Sequence, residues 1–255
     1  MELWTPAHTR TLLPALGAMI VIAAILRMAL GKKDLKIRMI PFQILTCVLL
    51  LLELGKQILS WQRGYDLYHL PFHFCSLFIF ALPAMSFYRG KYRSIVSGVT
   101  AALCTSVLAL MLIYPNLIYG AWNIEGFFED FFDMHTVAYH NIVMLEAILI
   151  LALNLHTPTS KKEPLAVVLA TVGFCVVSAS MAYILKTNYA NYYTCNIPAL
   201  EAVRLSILEK LGYVVTQLIY VAIVSALNIV FVLGFYWVYR LLRRLLNKKA
   251  PQTVA

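Results

Sequence analysis

His69-Leu-Pro-Phe-His73-Phe-Cys75 sets two imidazoles four residues apart, with a proline between them and a thiol two residues beyond. The stretch lies where a polar segment, Trp61 to Tyr68, gives way to an apolar run ending near Phe87. An imidazole within reach of a thiol or hydroxyl activates it as a nucleophile. Two histidines at i,i+4 on a helix can instead grip a metal, with His135, His140 or Asp133 as a third ligand. Cys75 also has a plain reading as a small buried hydrophobe, and His69 as an interfacial side chain. Ionisable groups are costly at membrane depth, which makes function the default hypothesis for them.

The elements that must position these residues follow from composition. The chain has 255 residues, 61% hydrophobic and 13% charged, against roughly 45–50% and about 25% for soluble domains. The reading is an all-α, polytopic integral membrane protein with one transmembrane domain, residues 1–255. No cleavable signal peptide is expected, because the first apolar run is long, lacks a basic n-region and is followed by more spans. The net charge of +9 does not indicate nucleic acid, since the Lys and Arg sit in short clusters between apolar runs. The five cysteines are scattered singly and imply neither a disulfide framework nor a CxxC metal site.

Seven runs reach the length of about 20 apolar residues that a span needs: 11–30, 39–60, 70–88, 94–114, 131–155, 165–187 and 212–240. Alternate connections carry the positive charge: Lys32, Lys33, Lys36 and Arg38, then Arg89, Lys91 and Arg93, then Lys161 and Lys162, then the tail from Arg240. The other connections hold Asp66, Glu125, Glu129, Asp130, Asp133, Glu201 and Glu209. That alternation predicts the N-terminus outside and the C-terminus in the cytoplasm. Residues 115–133, rich in Trp and Phe, suit the headgroup level. Residues 197–210 predict a short amphipathic interfacial helix.

With this topology the ionisable and amide side chains fall in the outer half of the bilayer: Glu53 and Lys56, His73 and Cys75, His135, Tyr139, His140 and Asn141, then Asn188 and Tyr189. Arg27 and Glu146 are the exceptions. Convergence at one depth predicts a cavity opening outward. Glu53 and Lys56, at i,i+3, also read simply as a neutralising pair. A histidine, a nucleophile and oxyanion-holding Asn and Tyr make acyl-transfer chemistry, and at this depth the accessible esters are those of lipids. His73, His140 and Cys75 are the catalytic candidates. Asn188, Tyr189, Glu53, Lys56, Tyr139 and His135 are the substrate-binding ones. No metal and no cofactor are expected, and membrane lipids are the expected partners.

At Leu70-Pro71-Phe72-His73-Phe74-Cys75 the sequence resembles the bacterial YwaF family, whose third span opens on a Leu-Pro-Leu-His-Leu-Cys type motif. Tyr139-His140 and Asn188-Tyr189 continue the resemblance in order. YwaF proteins look related to the eukaryotic transmembrane protein 164 family. The resemblance implies a bacterial plasma-membrane protein with phospholipid acyltransferase activity and, more distantly, a likeness to androgen-induced membrane hydrolases. In the eukaryotic motif the reactive cysteine directly precedes the histidine. Phe72 stands there in this chain, so His73 and His140 carry over and Cys75 does not do so directly.

Two other readings compete. A non-catalytic transporter or binding protein for a small solute or lipid would use the same cavity. Transporters tend to carry internal repeats and interrupted helices. No repeat is visible, and Pro83 is the clearest break. A seven-span photoreceptor would need a lysine in its last span, and none lies between Gly212 and Tyr239.

Overall fold

The computed structural model describes residues 2–248. Ten α-helices occur among them, with no strand: α1 (Pro6–Leu30), α2 (Leu35–Arg38), α3 (Ile40–Gln62), α4 (Phe78–Phe87), α5 (Arg93–Ile113), α6 (Ala121–Glu125), α7 (Phe131–Ala152), α8 (Glu163–Ile184), α9 (Pro198–Leu211) and α10 (Tyr213–Lys248). Six segments are long and apolar enough to cross a membrane: α1, Leu35–Gln62, α5, α7, α8 and α10. Proline opens α1, α3, α8 and α9, where its missing N–H would have had no helical partner.

The expected span at 70–88 departs from its outline. Residues Leu67–His69 form a 3-10 turn, Leu70 and His73 are extended, Phe74–Leu77 form a second 3-10 turn, and only Phe78–Phe87 is α-helical. The proximate cause is Pro71, which drives the preceding Leu70 into the extended region (φ −63°, ψ 147°). The two histidines therefore share no helical face, so the alternative of a helical metal-gripping pair at His69 and His73 has no helix to rest on. Among the described residues no three His, Cys, Asp or Glu side chains are arranged to hold a metal ion.

This broken segment runs antiparallel along α3. His69 Nδ1 shares a hydrogen bond with the Ser60 hydroxyl at 2.7 Å, and Gln57 Nε2 donates to His69 O at 2.9 Å. At the other end Gln43 Nε2 donates to Ser86 O at 2.9 Å, and the Thr46 and Ser86 hydroxyls are 2.9 Å apart. The matched stretch of α3, from Gln43 to Ser60, is roughly 25 Å long at 1.5 Å per residue.

α5 is the centre of the bundle. Ser97, Gly98, Thr100, Ala101, Ala102, Cys104, Thr105 and Ser106 are buried on it. Small residues let neighbouring backbones close in where no hydrophobic force pulls helices together. α4, α7, α8 and α10 pack around it. Gly98 instead leaves room for a side chain, because a Cβ there would meet Glu163 Oε2 at 2.8 Å. α1 lies on α7, and α10 extends on past α5 and α8 towards the basic tail, well beyond the expected end at 240.

The bundle has two distinct ends. The motif end holds residues 65–75, the start of α7 and the exit of α8. The opposite, cationic end holds residues 31–38, 88–93 and 154–162 and the finish of α10. α6 and the 3-10 turn Gly126–Phe128 fill the motif-end loop before α7, with Trp122 and Phe128 exposed. A helix stands at the stretch expected for one at 197–210, as α9.

Candidate functional site

Breaking a helix frees backbone carbonyls, and at membrane depth each needs a donor. Side chains from four elements supply them here. Gln57 of α3 donates to His69 O, Tyr139 of α7 to Cys75 O at 3.0 Å, Ser178 of α8 to Phe72 O at 2.7 Å, and Tyr189 to Leu67 O. His73 Nε2, 3.1 Å from Tyr68 O, must be the protonated nitrogen of its ring. Its ring packs against Tyr68 (centroids 4.3 Å) and Tyr189 (5.3 Å). The geometry thus gives His73 and Tyr189 a holding role around the motif.

The charged part of the site gathers on Glu53, which is 7% exposed. Its Oε1 takes bonds from Lys56 Nζ and Gln57 Nε2, both at 2.7 Å, and its Oε2 lies 3.1 Å from His135 Nε2. α3 supplies Glu53, Lys56 and Gln57 within about one turn of helix, and α7 brings His135. Tyr65 extends the group through a bond to Gln57 Oε1 at 2.5 Å. Two neighbouring contacts close this corner: His69 stacks on Phe132 (4.6 Å), and Arg63 Nη1 pairs with Asp130 at 2.9 Å. The Arg63 guanidinium beside Asp130 holds that carboxyl below the usual carboxylate range.

Tyr139 links this group to the motif thiol's backbone. Its ring lies between two imidazoles, with centroids 5.3 Å from His135 and 5.5 Å from His140, while its hydroxyl reaches Cys75 O. His140 is buried, and its Nδ1 lies 2.7 Å from Thr136 O. That fixes the proton on Nδ1 and leaves the lone pair on Nε2. Tyr119 closes the far side of His140 (6.2 Å) and stacks on His8 (5.5 Å).

The structure therefore brings Glu53, Lys56, His135, Tyr139, His140 and the Cys75 backbone into one chain of contacts. His73 and Tyr189 form a second group on the α8 side of the motif. Asn188 is occupied elsewhere. Its Oδ1 accepts from Tyr193 N and Thr194 N, both at 3.1 Å, and its Nδ2 bonds Asn196 Oδ1, so it ties the loop after α8. Ala190 and Asn191 sit in the left-handed region there (φ 47° and 63°), a conformation costly for alanine.

Sequence reasoning missed a second polar cluster, at the cationic end. Glu163 is fully buried. Its Oε1 accepts from Ser94 Oγ (2.9 Å), Ser160 N (3.1 Å) and Thr159 N (3.3 Å), and its Oε2 meets Tyr236 OH (3.2 Å) and His156 Nε2 (3.3 Å). The signal was present as Ser160-x-x-Glu163 before an apolar run, the capping-box pattern. The lone Glu146 of α7 finds the Thr46 hydroxyl at 2.9 Å, on α3.

Several long apolar helices with ionisable side chains enclosed between them define a multi-pass helical membrane protein. Residues 3–239 match the TMEM164 family, and the chain belongs to it. No curated protein and no solved structure gives a significant match.

Proposed function

We propose that this protein is a membrane-embedded acyltransferase or ester hydrolase acting on phospholipids. In this reading the chain crosses a bacterial plasma membrane seven times, N-terminus outside, with the broken segment 70–88 as the third crossing. The antiparallel match of that segment to α3 from Gln43 to Ser60 supports the crossing, and the alternation of basic and acidic connections supports the orientation.

One observation carries the chemistry: Tyr139, wedged between His135 and His140, is bonded to the backbone of Cys75. His140 has its lone pair on Nε2 and acts as general base. The Cys75 thiol gives its proton to that nitrogen as sulfur bonds to the ester carbonyl carbon. The ester C–O bond then breaks, and the departing lysophospholipid oxygen takes the proton from His140. A hydroxyl of a second lysophospholipid, or water, opens the thioester by the same route, and the proton returns to sulfur. Tyr139 and His135, the latter oriented by Glu53, set the polarity beside the reacting carbonyl. His73 and Tyr189 hold the motif in its broken form, and Lys56 balances Glu53.

The test is turnover of a phospholipid with a labelled acyl chain, with and without a lysophospholipid acceptor, in nanodiscs. His140→Ala and Cys75→Ala are each expected to lower transfer and release by roughly 100-fold or more. Equal turnover in wild type and both variants would end this reading.

A groove of about 340 Å³ between α8 and α10, lined by Ala179, Tyr183, Tyr213, Gln217 and Val221 among others, favours a second reading as a lipid-binding protein. Recovery of one chemically unaltered lipid from the purified protein, displaced by Gln217→Trp, would select it.

A further inference from the structure

At the cationic end, three arginines from three elements meet one helix terminus. Arg27 of α1 donates from Nη1 to Ala152 O at 2.8 Å. Arg38 of α2 donates to Leu153 O at 2.7 Å and Asn154 O at 3.2 Å. Arg243 of α10 donates from Nη1 to Leu151 O at 3.1 Å. Four consecutive carbonyls thus draw three guanidiniums to one helix end.

α7 ends there for a local reason. Asn154 takes the left-handed conformation (φ 53°), with Leu155 N bonded to Ile150 O and Asn154 N to Leu151 O. That is a Schellman stop with asparagine in place of glycine. Cations are favourable beside such an end, which accounts for the Nη1 groups already bonded.

It leaves the other donors unexplained. Arg243 is 2% exposed, and its Nε and Nη2 have no partner among the described residues; the buried Nε of Arg38 has none either. None of the ion pairs among the described residues includes these arginines. Glu163, the buried carboxylate of this end, has both oxygens engaged. Asp34, at the start of α2, is exposed and makes no such pair. Exposure falls from Arg27 through half-buried Arg38 to Arg243.

We propose that Arg27, Arg38 and Arg243 form a binding site for a phosphate-type oxyanion, with the free N–H groups of Arg243 and Arg38 as donors. Guanidinium forks match phosphate oxygens in pairs. A phosphate has enough oxygens to reach donors on more than one guanidinium, where a carboxylate has only two. At the edge of a bilayer the group comes either from a phospholipid headgroup or from a soluble phosphate. The site sits at the opposite end of the bundle from Glu53 and His140 and stands whether or not acyl chemistry occurs there.

The experiment uses the full chain in a maltoside micelle, which contains no phosphate. Phosphatidic acid is added in one arm and inorganic phosphate in the other, with thermal unfolding and native mass spectrometry as readouts. Wild type is expected to gain stability and retain the probe. Arg243→Gln and Arg38→Gln are each expected to bind roughly tenfold more weakly. A response to phosphatidic acid alone assigns a lipid headgroup, and a response to inorganic phosphate assigns the soluble source. If Arg243→Gln does not fold, the less buried Arg38→Gln carries the comparison. Absence of binding by wild type in both arms, or undiminished binding by the folded variants, overturns the proposal.

Discussion

Glu53 shows how much one residue decides. Its carboxylate accepts from Lys56, Gln57 and His135, so removing the charge strands a cation that is only 15% exposed. Glu53→Gln is expected to cost about 2–3 kcal/mol, somewhat below the full value for a broken buried pair because Lys56 keeps some water. Thermal unfolding in detergent measures it, and Lys56→Met in the same background should restore part of the loss. The charged members of this group were legible in the sequence, because Glu, Lys and His stand out against an apolar run. Gln57, Ser60 and Tyr65 were not, since neutral polar residues carry no such contrast and their partners lie on other elements. The hydrogen bond of His73 was not legible either, for a related reason. Its spacing says imidazole, whereas only the fold says that its N–H is committed to Tyr68 O.

Among the elements, α9 and the broken segment behave differently. Arg204 beside Glu201 holds that carboxyl below its usual range, and Glu201 also accepts from Cys195 N at 2.9 Å. A depressed carboxylate contributes stability above its unfolded value, near 4.3, and loses it as pH falls through the folded one. The protection factors of amides at residues 195–204, measured against intrinsic exchange, should therefore fall below about pH 4 and hold steady near neutrality. Glu201→Gln should remove that acid dependence. In the broken segment, Tyr139→Phe leaves Cys75 O without its donor and is expected to cost about 1–3 kcal/mol, read by thermal unfolding alongside turnover. Helix existence was legible from apolar run length. The break was not, although Pro71 stood in plain view. A proline near a helix start is ordinarily benign, and what turns this one into a break is a set of distant donors.

For the whole molecule, apolar runs and basic clusters made the order and approximate limits of the helices readable. The central place of α5 was not, because it rests on small side chains that look unremarkable in a hydropathy pattern. The proposed topology predicts that Lys91→Cys and Trp122→Cys, in a background with the native cysteines replaced, react with a membrane-impermeant maleimide from opposite faces of intact cells. Labelling of both from one face would remove the seven-crossing reading. The donors that hold the motif also constrain how the chain is made. Tyr139, Ser178 and Tyr189 follow their carbonyl partners by 64, 106 and 122 residues. While the ribosome is still producing α7 and α8, Gln57 is already in place for His69 O, but the side-chain donors to Leu67 O, Phe72 O and Cys75 O are not. Its final shape is therefore a late event of biogenesis, and truncations upstream of Tyr189 would leave the motif unassembled even where the preceding helices are already inserted.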